Sequence, residues 1–178
     1  DRFVFSEETV DIYINDDTAW LRRAVRWVVN IVVAIACGWF LVYGFGEQVL
    51  ISGNSMQPQL SAQDVVLMNR IIYVTGTPDR FDVVVFERED GKKNVKRIIG
   101  LPGETVQIRD NRVYINGEPL KEDKMGEVSL AGRAADPVRL GEKEYFLLGD
   151  NRGSSEDSRF PNIGNVKREQ ILGKAWFR

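Results

Sequence analysis

Ser55, in the run Ile51-Ser52-Gly53-Asn54-Ser55-Met56-Gln57-Pro58, and Lys96, in Asn94-Val95-Lys96-Arg97-Ile98-Ile99-Gly100-Leu101-Pro102-Gly103-Glu104, are the side chains best suited to do chemistry here. The sequence contains no histidine, so a serine activated by an imidazole is excluded. Its single cysteine, Cys37, sits in an apolar run. A Cys-His pair and a zinc site built from His and Cys are excluded with it. A serine nucleophile would therefore need another base, and a lysine in an apolar strand is the leading candidate. A general base must be neutral, whereas free lysine titrates near ~10.4. Lowering that value to about 8 disfavours the ammonium by roughly 3 kcal/mol, within the range that burial supplies.

Taken alone, Ser55 reads as an ordinary loop serine between Gly53-Asn54 and Pro58. Lys96 alone reads as a solvated edge-strand lysine. On a strand, Lys96 and Ile98 share one face, while Val95, Arg97 and Ile99 share the other. A third block, Gly149-Asp150-Asn151-Arg152-Gly153-Ser154-Ser155-Glu156-Asp157-Ser158-Arg159, follows an apolar strand and by itself reads as a polar surface turn.

The elements that must position these groups fall into three segments. Residues 27–46 read WVVNIVVAIACGWFLVYGFG, without a charge and long enough to cross a bilayer as a helix. Arg22, Arg23 and Arg26 precede this run, and the next basic residue is Arg70. The positive-inside rule then predicts a cytoplasmic segment 1–26, a transmembrane helix 27–46 and an extracytoplasmic domain 47–178. The run is long for a cleaved secretory signal and has no Ala-x-Ala exit. A further helix from Thr18, lying at the interface, is expected. The chain opens on Asp1 rather than Met, so upstream sequence is expected as well.

From Gln48 onward the pattern is β. Val65-Val66-Leu67 and Val83-Val84-Val85-Phe86 are short apolar runs. Thr105–Arg109 alternates, turns at Asp110-Asn111 and returns as Arg112–Ile115, and Asn116-Gly117 makes a second tight turn. Tyr145–Leu148 and 171–177 supply late strands. Residues 121–140 read as a long polar loop. The predicted fold is mainly β, an antiparallel sheet or barrel-like domain preceded by one transmembrane helix. A net charge of −2 gives no electrostatic case for nucleic acid.

Ser55-Met56-x-Pro58-x-Leu60, Lys96 to Glu104, Gly149-Asp150-Asn151-Arg152 and Ser155-x-Asp157-Ser158-Arg159 resemble the type I signal peptidases in content, order and spacing, in the compact Gram-positive form. The resemblance implies a membrane-bound serine endopeptidase that removes signal peptides from exported preproteins, with no metal or organic cofactor. It implies Ser55 as nucleophile, Lys96 as general base, and Ser155 as the group that orients the lysine. It implies an Asp157–Arg159 ion pair, joined by Arg97, as structural support, with Asp150 and Arg152 only shaping the loop. The oxyanion donors would be the Ser55 N–H and a group at Gly53, where many family members carry a serine. Ile51, Met56, Leu60 and Val95 are expected to line the substrate pocket. Gln59, Phe81 and Asn94 replace the family's usual Thr, Gly and Tyr. The expected partners are signal-peptide-bearing preproteins and the lipid bilayer, for a monomer near the secretion translocon. Two alternatives are a non-catalytic assembly factor for surface fibres and a self-cleaving Ser/Lys regulator. Retention of both Ser55 and Lys96 speaks against the first. The apolar span speaks against the second.

Overall fold

The computed structural model describes residues 19–45, 47–51, 53–121 and 123–176. The expected interfacial helix start at Thr18 and the cytoplasmic lead-in before it lie outside the described residues. The chain divides into two compact units, residues 1–40 and 41–178.

Helix α1 runs over Ala19–Phe45, about 40 Å at the α-helical rise. It begins earlier than the apolar run and carries Arg22, Arg23 and Arg26 on its first turns. Every residue from Trp20 to Tyr43 is exposed. A long apolar stretch exposed in this way is the form a bilayer accommodates.

The second unit is an antiparallel half-barrel of short strands. β1 (Glu47–Leu50), β2 (Val65–Asn69), β3 (Val83–Glu87), β4 (Lys93–Gly100), β9 (Glu144–Leu148), β10 (Val166–Lys167) and β11 (Ile171–Trp176) form one sheet in the order β1-β2-β11-β3-β4-β9-β10. β5 (Thr105–Arg109), β6 (Arg112–Ile115), β7 (Glu118–Pro119) and β8 (Val138–Arg139) form a second, ordered β7-β6-β5-β8. A single helical turn, α2 (Ile72–Thr75), follows β2.

The predicted hairpin is present. Arg109 pairs with Arg112 across a turn in which Asp110 and Asn111 have φ of 49° and 59°, the left-handed pair that such a two-residue turn requires. The segment 121–140 departs from its reading as a polar loop. Val128, Ala134, Val138 and Leu140 are buried with Ile99, Val106, Ile108, Val113, Phe146 and Leu148 in a core beneath the small sheet. Their irregular spacing hides them from a periodicity test, because the segment packs through a 3-10 turn (Gly132–Ala135) and a two-residue strand.

β4 is the strand that matters most for the site. It pairs with β3 along its whole described ladder, from Lys93 opposite Glu87 to Arg97 opposite Val83. On its other side, β9 begins only at Arg97, opposite Leu148. Lys93 to Lys96 therefore present a free backbone edge. The β9 ladder is irregular between Ile98 and Gly100. A β-carbon on Gly100 would lie 2.5 Å from Val106 Cγ2 and 2.9 Å from Phe146 Cβ, so glycine is required where the bulge folds the strand onto the second core.

Candidate active site

Ser55 lies in the turn that leaves β1. Ile51 directs both backbone groups toward the β2 side, its N–H to Asp64 O at 2.9 Å and its carbonyl to Gln63 N at 3.0 Å. The chain then reverses through Gly53, whose φ of 89° is left-handed. A side chain at Gly53 would be strained there. Gln57 N donates to Asn54 O, and Leu60 N donates to Met56 O. Met56 and Leu60 are buried and anchor the turn. Asn151 N donates to the Ser55 carbonyl at 3.0 Å, and its side chain donates to Asn54 O.

Lys96 comes to this turn from β4. Its Nζ stands 2.7 Å from Ser55 Oγ and 3.3 Å from Val95 O. The residue is 4% exposed. Burial pushes its amine down to about 8. The carboxylates of Asp157, Glu156 and Asp150 pull the other way, and the Arg88 guanidinium assists burial. The amine is thus within reach of a neutral state at ordinary pH while touching the serine hydroxyl, which are the two requirements of a serine/lysine base pair.

The loop 149–159 is built on buried ion pairs. Arg159 grips Asp157 with Nε at 2.8 Å and Nη2 at 2.9 Å, and Asp157 also accepts Gly149 N at 3.0 Å. Arg97 does not join this pair. It binds Asp150, Nε to Oδ1 at 2.8 Å and Nη2 to Oδ2 at 2.7 Å. The register explains the correction: Arg97 sits opposite Leu148, two residues before Asp150, while the Asp157 oxygens are already taken. Arg152 forms a third bidentate pair with Asp123, at 2.7 and 2.8 Å. Asp150 and Arg152 therefore do more than shape a turn. Asp123 lies in the segment read as a polar loop, and nothing in its local sequence marks it.

Two departures from the family pattern acquire a role around Arg97. Gln59 accepts a hydrogen bond from Arg97 Nη2 at 2.6 Å, and the Phe81 carbonyl accepts one from Nη1 at 2.7 Å. Phe81 has φ of 70°, so the turn keeps the left-handed geometry that the usual glycine would adopt without strain.

Ser155 is buried against this site. Its Oγ lies over Gly149, and among the described residues it has no hydrogen-bond partner. The structure thus brings Ser155 to the dyad's loop without a bond to Lys96. Ile51, Met56, Leu60 and Val95 fall in one core cluster. Only Ile51 and Val95 of these line the small cleft beside the dyad, together with Leu50, Ser55, Lys93, Asn94 and Lys96. Leu50, 64% exposed, was not among the pocket residues expected. Its backbone groups point away from β2, because those of Ile51 point toward it. Among the described residues no group of three His, Cys, Asp or Glu side chains is placed to hold a metal ion.

The chain is similar to known proteins over most of its length. Residues 24–178 match the family model described as signal peptidase, peptidase S26. The chain is 33% identical over 169 residues to the probable signal peptidase I-2 of Synechocystis sp., covering 91% of this chain and 74% of that one. It is 35% identical over 164 residues to signal peptidase I T of Bacillus subtilis, covering 86% and 83%. A crystal structure of a signal peptidase I from Enterococcus faecalis is 35% identical, with a TM-score of 0.48 over 56% of this chain and 97% of that one.

Proposed function

The chain belongs to the signal peptidase family, peptidase S26, the enzymes that remove signal peptides, and on that premise we propose that Ser55 is its nucleophile and Lys96 its general base. The observation that carries this is the 2.7 Å contact between Lys96 Nζ and Ser55 Oγ. When Lys96 is neutral, the same contact runs in reverse, with the hydroxyl donating to the amine. As Oγ attacks the scissile carbonyl, its proton passes to Nζ, and the resulting ammonium protonates the departing amine. The acyl-enzyme is then opened by a water that gives its proton to the amine again, and Ser55 is regenerated.

The developing oxyanion needs donors. The Ser55 N–H supplies one, and the backbone at Gly53 supplies the second. Ser155, whose buried Oγ has no hydrogen-bond partner among the described residues, is the group we assign to steady the amine of Lys96. Arg97, Asp157 and Arg159 support the site by holding the loop 149–159 against β4.

Substrate enters as an extended strand between the free edge of β1 and the free edge of Lys93 to Lys96. The small side chains before the cut then face Ile51 and Val95, with Met56 and Leu60 behind them. The enzyme is anchored in the membrane by its N-terminal helix. The arginines before the apolar run support a cytoplasmic segment 1–26 and an extracytoplasmic domain 47–178, where exported preproteins emerge.

The test uses the full chain in detergent, a preprotein with an Ala-x-Ala end, and mass spectrometry of the new N-terminus. Ser55→Ala and Lys96→Ala are each expected to lower cleavage by about 10³-fold or more. Cleavage that survives either substitution at near wild-type rate would overturn the dyad.

A further inference from the structure

Two side-chain contacts bridge the cleft that should take the peptide, one at each end. Its two rails are residues 47–51 and residues 93–96. At one end Lys96 Nζ meets Ser55 Oγ. At the other, the Lys93 ammonium meets the Glu47 carboxylate. The cleft they bound is small and partly open to solvent.

We propose that the Glu47–Lys93 ion pair is a clasp across the far end of the peptide cleft, which opens as substrate seats and thereby sets part of KM. The inference rests on the assignment of this cleft to substrate. Glu47 is held on its own rail by Arg70, the residue just after β2. When Lys93 leaves, the carboxylate keeps one cation, and only the link that spans the cleft is lost. The Glu47 and Lys93 side chains are 27% and 40% exposed, so the pair is weak, reversible and screened by salt. Lys93 lies three residues from Lys96, about 10 Å along the strand. The clasp thus stands just past the third position before the cut, where it does not compete with the pocket for small side chains.

The test measures kcat and KM of the full chain in detergent, with a synthetic peptide bearing an Ala-x-Ala end and uncharged residues upstream, at low and high sodium chloride. Wild-type KM is expected to fall as salt rises. Lys93→Ala is expected to lower KM at low salt by about two- to fivefold and to abolish the salt dependence. Glu47→Gln, which keeps the side chain's size, is expected to do the same if Lys93→Ala is poorly folded. Arg70→Gln cuts only the contact within one rail and should give a KM at or above that of wild type. An unchanged or raised KM in Lys93→Ala and Glu47→Gln, or an equal fall in Arg70→Gln, would overturn the clasp. Cleavage that persists in Ser55→Ala would instead remove the site assignment beneath it, so the two failures are distinguishable.

Discussion

Ser155 lies so close over Gly149 that a β-carbon on the glycine would stand 2.1 Å from Ser155 Oγ. The same β-carbon would stand 2.5 Å from the carbonyl oxygen of Ser55. That carbonyl also accepts the N–H of Asn151, so the loop and the Ser55 turn are fitted backbone to backbone. Gly149→Ala must push one of them away. The expected cost is about 1–3 kcal/mol of stability, measured by urea unfolding. Cleavage of a model peptide should fall mainly through kcat, since the displaced groups surround the reacting hydroxyl.

The rate should follow the proton on Lys96. Its amine is pushed down to about 8, and in the proposed mechanism the neutral form is the active one. Cleavage is expected to rise about tenfold per pH unit below that value and to level off above it. Glu156 favours the ammonium and Arg88 disfavours it. Glu156→Gln should move the rise to lower pH, and Arg88→Gln should move it to higher pH. Each shift is limited to a few tenths of a pH unit by solvent around the exposed Glu156. A pH profile of kcat/KM for the three proteins checks the order.

The same proton makes Lys96 a burden on the fold. Its folded value lies below the ordinary 10.5, so between about 8 and 10.5 the unfolded chain binds more protons, and stability rises with pH across that window. Below about 8 the penalty is present in full, roughly 3 kcal/mol as an upper figure. Lys96→Met is therefore expected to be inactive yet more stable than wild type at pH 7. The difference should shrink toward zero as pH approaches 10.5, as denaturant unfolding at several pH values would show.

The Arg97–Asp150 pair is expected to behave as a unit. The Asp150 side chain is fully buried and that of Arg97 is 11% exposed. Removing one partner leaves a charge buried without compensation, so Asp150→Ala should cost about 3–5 kcal/mol. Replacing both, as Arg97→Met with Asp150→Leu, should cost clearly less than the sum of the single changes. A double-mutant cycle on unfolding free energy reads the coupling.

What could be read in the sequence was local. The turn at Asp110-Asn111 announces itself, because few residue pairs adopt the two left-handed conformations found there. The apolar runs at Val83–Phe86 and Tyr145–Leu148 became central strands, as short buried runs do. The proposed dyad rests on a pattern spread over distant blocks, since neither Ser55 nor Lys96 stands out from its neighbours. What escaped was long-range pairing. Arg97 could have met Asp150 or Asp157, and only the β4–β9 register decides between them. Asp123 and Arg152 come together from segments whose local composition says no more than surface loop. The core residues in 121–140 escaped because that segment has neither the period of a helix nor that of a strand.

The alternation of side chains on β4 also divides labour between two neighbouring cations. Lys96 turns to the serine and Arg97 turns to Asp150. A guanidinium never gives up its proton in this pH range, whereas an ammonium can. The irregularity between Ile98 and Gly100 fixes how the strand is threaded against β9. A slip of a single residue would bring Arg97 to the place of Lys96, setting a permanent cation beside Ser55, and would leave Ile98 in the place of Arg97. Loss of activity in this protein can thus come from a misthreaded strand with every reactive side chain still present.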